Sequence, residues 1–261
     1  MKKTHTLFIP AIFITLTILP VACNPSSNDG TESNTPAKDL STAIDIAIQE
    51  AQYDRALSLI DSLNKTFPDS LEYRRATIAQ RAKAVEGLTI SAIPESDMAM
   101  AMAQKDVDSL SHEFSTVSVS SAVSPYLVYT PIKGQHPVVE ARVGDEDMPW
   151  MIIINNGDGQ HLAIALIDHS GNTVATSTAS ALPIISTEEA DPIGQAIASY
   201  GNYDGWKLKI GNSTHSLTTA QAHAIASSWR LAKAKKALRQ ALIDREGLER
   251  RLMAARNQVT K

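Results

Sequence analysis

From Asp39 to about residue 115, apolar residues recur at helical spacing. Leu40, Ala43, Ile44, Ala47 and Ile48 form one stripe, and Ala56, Leu57, Ile60 and Leu63 form a second. That spacing puts one face of each helix into a core. Pro68 stops the second helix, and a third is expected over about Asp69 to Glu86. Pro94 then punctuates the chain, and Ser96 is the candidate N-cap of a fourth helix running to about Phe114. Within it Met98, Met100 and Met102 alternate with Ala99, Ala101 and Ala103. Thioethers are adaptable packing groups that serve a core or a permissive contact surface.

From Pro125 the period shortens to two and β-branched residues dominate. Candidate strands are Tyr126–Thr130, Val138–Val143, Trp150–Ile154, Leu162–Ile167 and Thr173–Ser177. Between them lie GDED at Gly144–Asp147, NNGDG at Asn155–Gly159 and DHSGN at Asp168–Asn172, which read as hairpin connectors. A short helix is expected after Asp191, with Pro192 at its first position. Trp206–Ile210 and Thr214–Leu217 make a further hairpin around Gly211-Asn212. The pattern predicts an α+β chain whose antiparallel sheet, over 125–217, carries an inserted helix.

The last element spans about 218–257. Ala220 to Leu242 holds no proline or glycine, and Ile225, Trp229, Leu231, Leu238 and Leu242 supply an apolar stripe. The first half is expected to pack on the sheet through Trp229, and the basic second half to project. Gly247 costs about 1 kcal/mol against alanine inside a helix and is a place to bend or fray.

The amino terminus follows a different pattern. Lys2 and Lys3 precede an apolar run from Leu7 to Ala22. That run is shorter than the roughly 20 residues of a spanning helix, and it has the layout of a secretory signal. Leu19-Pro20-Val21-Ala22-Cys23 resembles the lipobox of bacterial lipoproteins, with Pro20 where that family usually has leucine. The resemblance implies a signal peptide over 1–22 and a diacylated Cys23. The alternative is an ordinary cleaved signal followed by an incidental cysteine. Cys23 is the chain's single cysteine, so no internal disulfide can form. Acyl chains add about 0.8 kcal/mol of membrane affinity per buried methylene. Asn24, in place of the aspartate that marks inner-membrane retention in that family, implies the outer membrane. Residues 23–38 are then anchor and tether, since NPSSNDGTESNTPAK has little that could enter a core.

Tyr53, Ala56, Leu57 and Pro68 fall at the tyrosine, small-residue, leucine and proline positions of a tetratricopeptide repeat, which the 39–115 region resembles over one unit. A generic helical hairpin is the other reading, because such solenoids usually need three or more repeats. Taken whole, the layout resembles a group of uncharacterised lipoproteins of Gram-negative bacteria. They combine a lipobox, a repeat-like hairpin, a small β-rich domain and a long charged C-terminal helix. That resemblance implies architecture and address, and no activity.

Charge is unevenly spread. Residues 230–261 hold ten Lys/Arg against three Asp/Glu, whereas 23–229 hold twelve against twenty-five. Arg230, Lys233, Lys235, Lys236, Arg239, Arg245, Arg250, Arg251 and Arg256 could meet lipid headgroups, an acidic partner or the chain's own acidic body. Nucleic acid is not an expected partner of a tethered envelope protein.

Signatures of chemistry are sparse. His161 and His169 lie eight apart near Asp158 and Asp168, but turns are where solvated histidines commonly sit. Asp158 lacks the further spaced acids of an EF-hand loop. No serine occupies a G-x-S-x-G elbow, and Gly157-Asp158-Gly159 is not followed by the helix that a phosphate loop needs. No catalytic residue, metal ligand or cofactor is assigned; Cys23 is the one assigned site. Two functions remain: a scaffold or adaptor engaging an envelope protein, or a glycan-binding or hydrolytic β domain using Trp150, Tyr200, Tyr203 and Trp206 to stack on sugars.

Overall fold

The computed structural model describes residues 35–118, 125–144 and 150–259. Cys23, the expected signal and most of the expected tether lie outside those residues, as does most of the GDED sequence. The described chain is α+β. Three helices open it: α1 (Thr35–Gln49), α2 (Tyr53–Thr66) and α3 (Leu71–Ser111). Strands β1 (Phe114–Val117), β2 (Tyr126–Tyr129), β3 (Val139–Gly144), β4 (Met151–Ile154), β5 (Gln160–Ile167), β6 (Thr173–Ala181) and β7 (Ile184–Ile185) follow. Helix α4 (Thr187–Tyr200), the hairpin β8 (Lys207–Ile210) and β9 (Ser213–Ser216), and helix α5 (Thr219–Val259) complete it.

Helices α1 and α2 form the expected hairpin, packed on the first part of α3. Ile44, Ala47, Ala56, Ile60, Leu63 and Ala84 make its core. Ala56 is fully buried, as a small residue at a close helix crossing should be. Gly87 of α3 lies under the Tyr53 ring, where any side chain would collide. Gln80 ties α3 to α1 through Asp45 at 2.8 Å. Helix α1 starts at Thr35, ahead of the expected Asp39, and Ala37 is already buried.

The third and fourth helices expected from sequence are one helix of 41 residues, with Pro94 inside it. An interior proline costs about 3 kcal/mol or more, through a lost N–H bond and a clash with the preceding turn. Here the penalty is outweighed by packing along the whole length. Ser96 is accordingly an interior residue and not an N-cap, and the helix ends at Ser111 rather than near Phe114.

The packing partner is α5, also 41 residues. At a rise of about 1.5 Å per residue, each helix is about 60 Å long. Arg245 meets Asp97 at 2.5 Å and Arg256 meets Glu86 at 2.8 Å, so the two helices run antiparallel. Ala82, Thr89 and Ala103 are buried on α3 and recur on a seven-residue grid with Ser96. On α5, Leu231, Leu238 and Leu252 share a similar grid with Arg245, and Ala234, Ala241, Leu248 and Ala255 form a second; all these are buried or half-buried. A seven-residue repeat is the spacing that keeps a seam in register between paired helices. The basic second half of α5 therefore does not project: α3 runs beside it and covers one side.

The β region forms one antiparallel sheet in the order β1-β2-β3-β4-β7-β6-β5-β8-β9. The five strands and the late hairpin expected from sequence are present, with small shifts at their ends except that β6 runs on from Ser177 to Ala181. Two strands were not expected. β1 pairs with β2 from Phe114↔Tyr129 to Val117↔Tyr126, and β7 joins β4 to β6. The core between sheet and helices joins Trp150, Ile152, Ile164, Leu166 and Leu208 to Ile193 and Ile197 of α4 and Ile225 and Leu231 of α5.

Helix α4 begins at Thr187, so Pro192 is not at its first position. Its start is set by Ser186-x-x-Glu189, a capping box. The Glu189 carboxylate accepts N–H bonds from Ser180 at 2.8 Å and Ser186 at 2.9 Å. Hydrogen bonding from Ser180, with a smaller contribution from Ser186, pulls its pKa down to about 2 against the opposing effect of burial. Trp229 packs the first half of α5 on α4, its Nε1 donating to Asp191 at 3.0 Å.

Candidate functional site

At the hairpin end of the helix pair, α2, α3 and the tip of α5 border an open recess of about 480 Å³. Leu71 and Ile78 are 63% and 60% exposed there, although both are large and apolar. Arg74, Arg75 and Arg81 stand around them. Arg74 donates to the Pro68 carbonyl at 2.8 Å, and Arg81 is paired with Asp61. Arg75 makes no ion pair among the described residues. Exposed aliphatic groups beside guanidinium forks suit a segment that brings both apolar side chains and carboxylates. Helical sequences on α2 and α3 position all of these groups, so the recess is held by packed elements.

A second cluster gathers titratable groups where α5 crosses β2. The His223 ring lies 4.9 Å from Tyr129 and 4.5 Å from Tyr203, edge-on to the latter. Ser227 Oγ donates to Glu113 Oε2 at 2.9 Å and lies 3.5 Å from His223 Nδ1. Arg230 donates to the Tyr203 hydroxyl at 3.2 Å and the Ala198 carbonyl at 2.7 Å. Burial raises the Tyr129 pKa, with further contributions from the Glu113 charge and Tyr203. The serine does not resemble an activated nucleophile. Its proton goes to Glu113, and it is only 2% exposed; a nucleophile needs its base and an open approach. The cluster joins β1–β2, the loop before β8 and α5 by polar contacts. No local pattern in the sequence announces it, because Glu113 and Ser227 are 114 positions apart.

The chain matches no known protein family, no curated protein and no solved structure. Its functional reading rests on geometry and sequence.

The other residues singled out by sequence are dispersed. His161 lies at the start of β5 and His169 in the turn beyond its end, so the length of the strand separates them. Among the described residues no three His, Cys, Asp or Glu side chains group as metal ligands would. Asp168 accepts N–H bonds from Ser170 and Asn172 at 2.9 and 2.8 Å, closing the turn after β5, and those from Asn172 first of all lower its pKa. Asp158 lies in a small cleft of about 160 Å³ beside His215.

The four aromatic candidates do not form a platform. Trp150 and Trp206 are core residues, 2% and 1% exposed. Tyr200 packs edge-on against Trp206, and Tyr203 is engaged with His223. The basic residues turn largely toward the protein itself. Lys233 pairs with Asp191 at 2.6 Å, Arg245 with Asp97 and Arg256 with Glu86. Met98 and Met102 are exposed, at 65% and 64%, so the methionine run is not a core stripe.

Proposed function

We propose that this protein is a lipid-anchored scaffold of the bacterial cell envelope, held through Cys23, with the outer membrane as its expected address. The recess at the hairpin end takes an acidic, amphipathic segment of an envelope protein. The observation that carries this reading is the pair Leu71 and Ile78, exposed on α3 beside Arg74, Arg75 and Arg81. Large apolar side chains kept in water at one rimmed place are characteristic of interaction sites.

A photo-crosslinking residue at position 71, in cells, tests the recess. A defined adduct with another envelope protein is expected, and Arg75→Glu should reduce it about tenfold through charge repulsion. A crosslinker at Ser213, on the far strand of the sheet, should give no such adduct. Equal labelling from both positions, or an adduct indifferent to Arg75→Glu, would remove the recess as a site. The anchor is tested separately. Cys23→Ser should abolish fatty-acid labelling and release the mature chain from membranes. A variant that stays membrane-bound with unchanged gel mobility would overturn the lipid reading.

A further inference from the structure

The two sides of the α3–α5 pair differ. The ion pairs Arg245–Asp97 and Arg256–Glu86 lie outside a second groove, of about 820 Å³, that opens between the same helices. Ala92, Ala99 and Ala103 of α3 and Ala237, Ala241 and Leu248 of α5 line it. Met102 stands one helical turn from Ala99, and Ile243 borders the groove; they are 64% and 48% exposed. Glu95 occupies the α3 rim, and Asp244, Arg250 and Arg251 the α5 rim, where Asp244 accepts a hydrogen bond from Gln240 at 2.9 Å. Among the described residues neither Glu95 nor Arg251 makes an ion pair.

We propose that this groove receives the same groove of a second copy of the chain, making a four-helix bundle about a two-fold axis parallel to the helices. That axis lays α5 of each copy against α3 of the other, so every neighbouring pair is antiparallel. Alanines in the floor allow the close interaxial approach of packed bundles, about 8–10 Å. Arg250 and Arg251 are complementary to Glu95 under this operation. The pairs Arg245–Asp97 and Arg256–Glu86 fix the register, which sets Arg251 level with Ser91 and one turn from Glu95. Arg250 and Arg251 of one copy thus meet Glu95 of the second, twice per dimer. A two-fold axis across the helices would instead point the copies in opposite directions. The parallel choice rests on the lipid-anchor reading, since two chains tethered through Cys23 to one membrane must enter from the same end. Tethering also raises the effective concentration of one copy for another, which suits an interface of modest size.

The test uses the mature chain from residue 23 with Cys23→Ser, so dimerisation is measured apart from lipidation. Chains bearing Glu95→Cys and differently tagged chains bearing Arg251→Cys are mixed and treated with a short bis-maleimide. Mixed dimers are expected in excess over the like-with-like products of either chain alone. In sedimentation of the cysteine-free chain, Glu95→Arg should weaken the dimer about tenfold. Combining it with Arg250→Glu and Arg251→Glu should restore the dimer, while circular dichroism stays unchanged throughout. A well-folded chain that remains monomeric up to about 100 µM and gives no mixed product overturns the proposal. So does a charge swap without rescue, or a groove that crosslinks only to a different protein. Any of these would leave the recess at Leu71 untouched.

Discussion

Arg245 of α5 holds Asp97 of α3 at 2.5 Å through Nε, and its Nη1 reaches Glu249 at 2.9 Å. One guanidinium thus serves both helices at mid-length, on the seam grid where leucines stand a heptad to either side. The hydrogen bond that Arg245 donates to Asp97 raises the Arg245 pKa above its ordinary value. Arg245→Ala should lower the melting temperature by about 2 °C, the scale of a well-placed but solvent-exposed pair. Asp97→Ala should cost less in the Arg245→Ala background than alone. Calorimetry of the four chains at low and high salt checks this, and the difference should shrink as salt screens the pair.

Gly194 lets α4 approach two tryptophans. A Cβ there would stand 2.6 Å from Trp150 Cη2 and 2.6 Å from Trp229 Cδ1. Gly194→Ala should destabilise the fold by about 1–3 kcal/mol through overpacking, despite the better helix propensity of alanine. Denaturant unfolding with tryptophan fluorescence reads both the loss and the displaced rings. A neutral result would mean that α4 slides without cost.

Glu189 binds two backbone N–H groups, one in its own helix start and one on β6. Glu189→Ala should cost about 1 kcal/mol at neutral pH, the usual scale for a lost cap. Its folded pKa of about 2 lies below the ordinary 4.5. The unfolded chain therefore takes up the proton first, and the advantage is full above about 4.5 and lost as pH falls through 2. Urea melts of both chains at neutral pH, pH 4 and pH 2 should converge at the acid end.

Tyr129 ionises late, because burial and the Glu113 charge both oppose a phenolate. The unfolded chain releases that proton first, so stability falls as pH rises above the ordinary 10.0. Glu113→Gln should bring the Tyr129 titration back toward that value without reaching it, since burial remains. Ultraviolet titration of wild type, Glu113→Gln and Tyr129→Phe isolates the band. An unchanged profile would show that Glu113 does not act on the phenol.

Much of the architecture was legible where local pattern and tertiary role agree. Alternation and Gly/Asn/Asp turns locate β5 and β8, because alternate residues of each face the core and a short turn follows each. Legibility fails where distant packing overrides a local signal. Pro94 looks like a boundary, yet α3 continues through it because α5 supports both sides. The α3 seam was hidden because its grid residues include Ala82, Thr89, Ser96 and Ala103, too small or polar to read as a stripe. β7 is two residues long, and β1 continues directly from a helix. The capping box at Ser186 and Glu189 was present in sequence and outranked by Pro192, which proved the weaker marker. Of the candidate sites, Leu71 and Ile78 could not be read as exposed, since helical spacing alone does not say which faces are covered.

Glu86 and Arg256 are 170 positions apart, which has consequences for the order of assembly. While the chain emerges from its amino end, α3 exists without the helix that completes its seam. Helix α5 must appear before that surface is shielded, and closing so long a loop is slow. The nascent molecule therefore depends on protection until its last turns arrive. A premature stop inside α5 would not merely shorten a tail; it would leave the first long helix permanently open to proteolysis and to self-association.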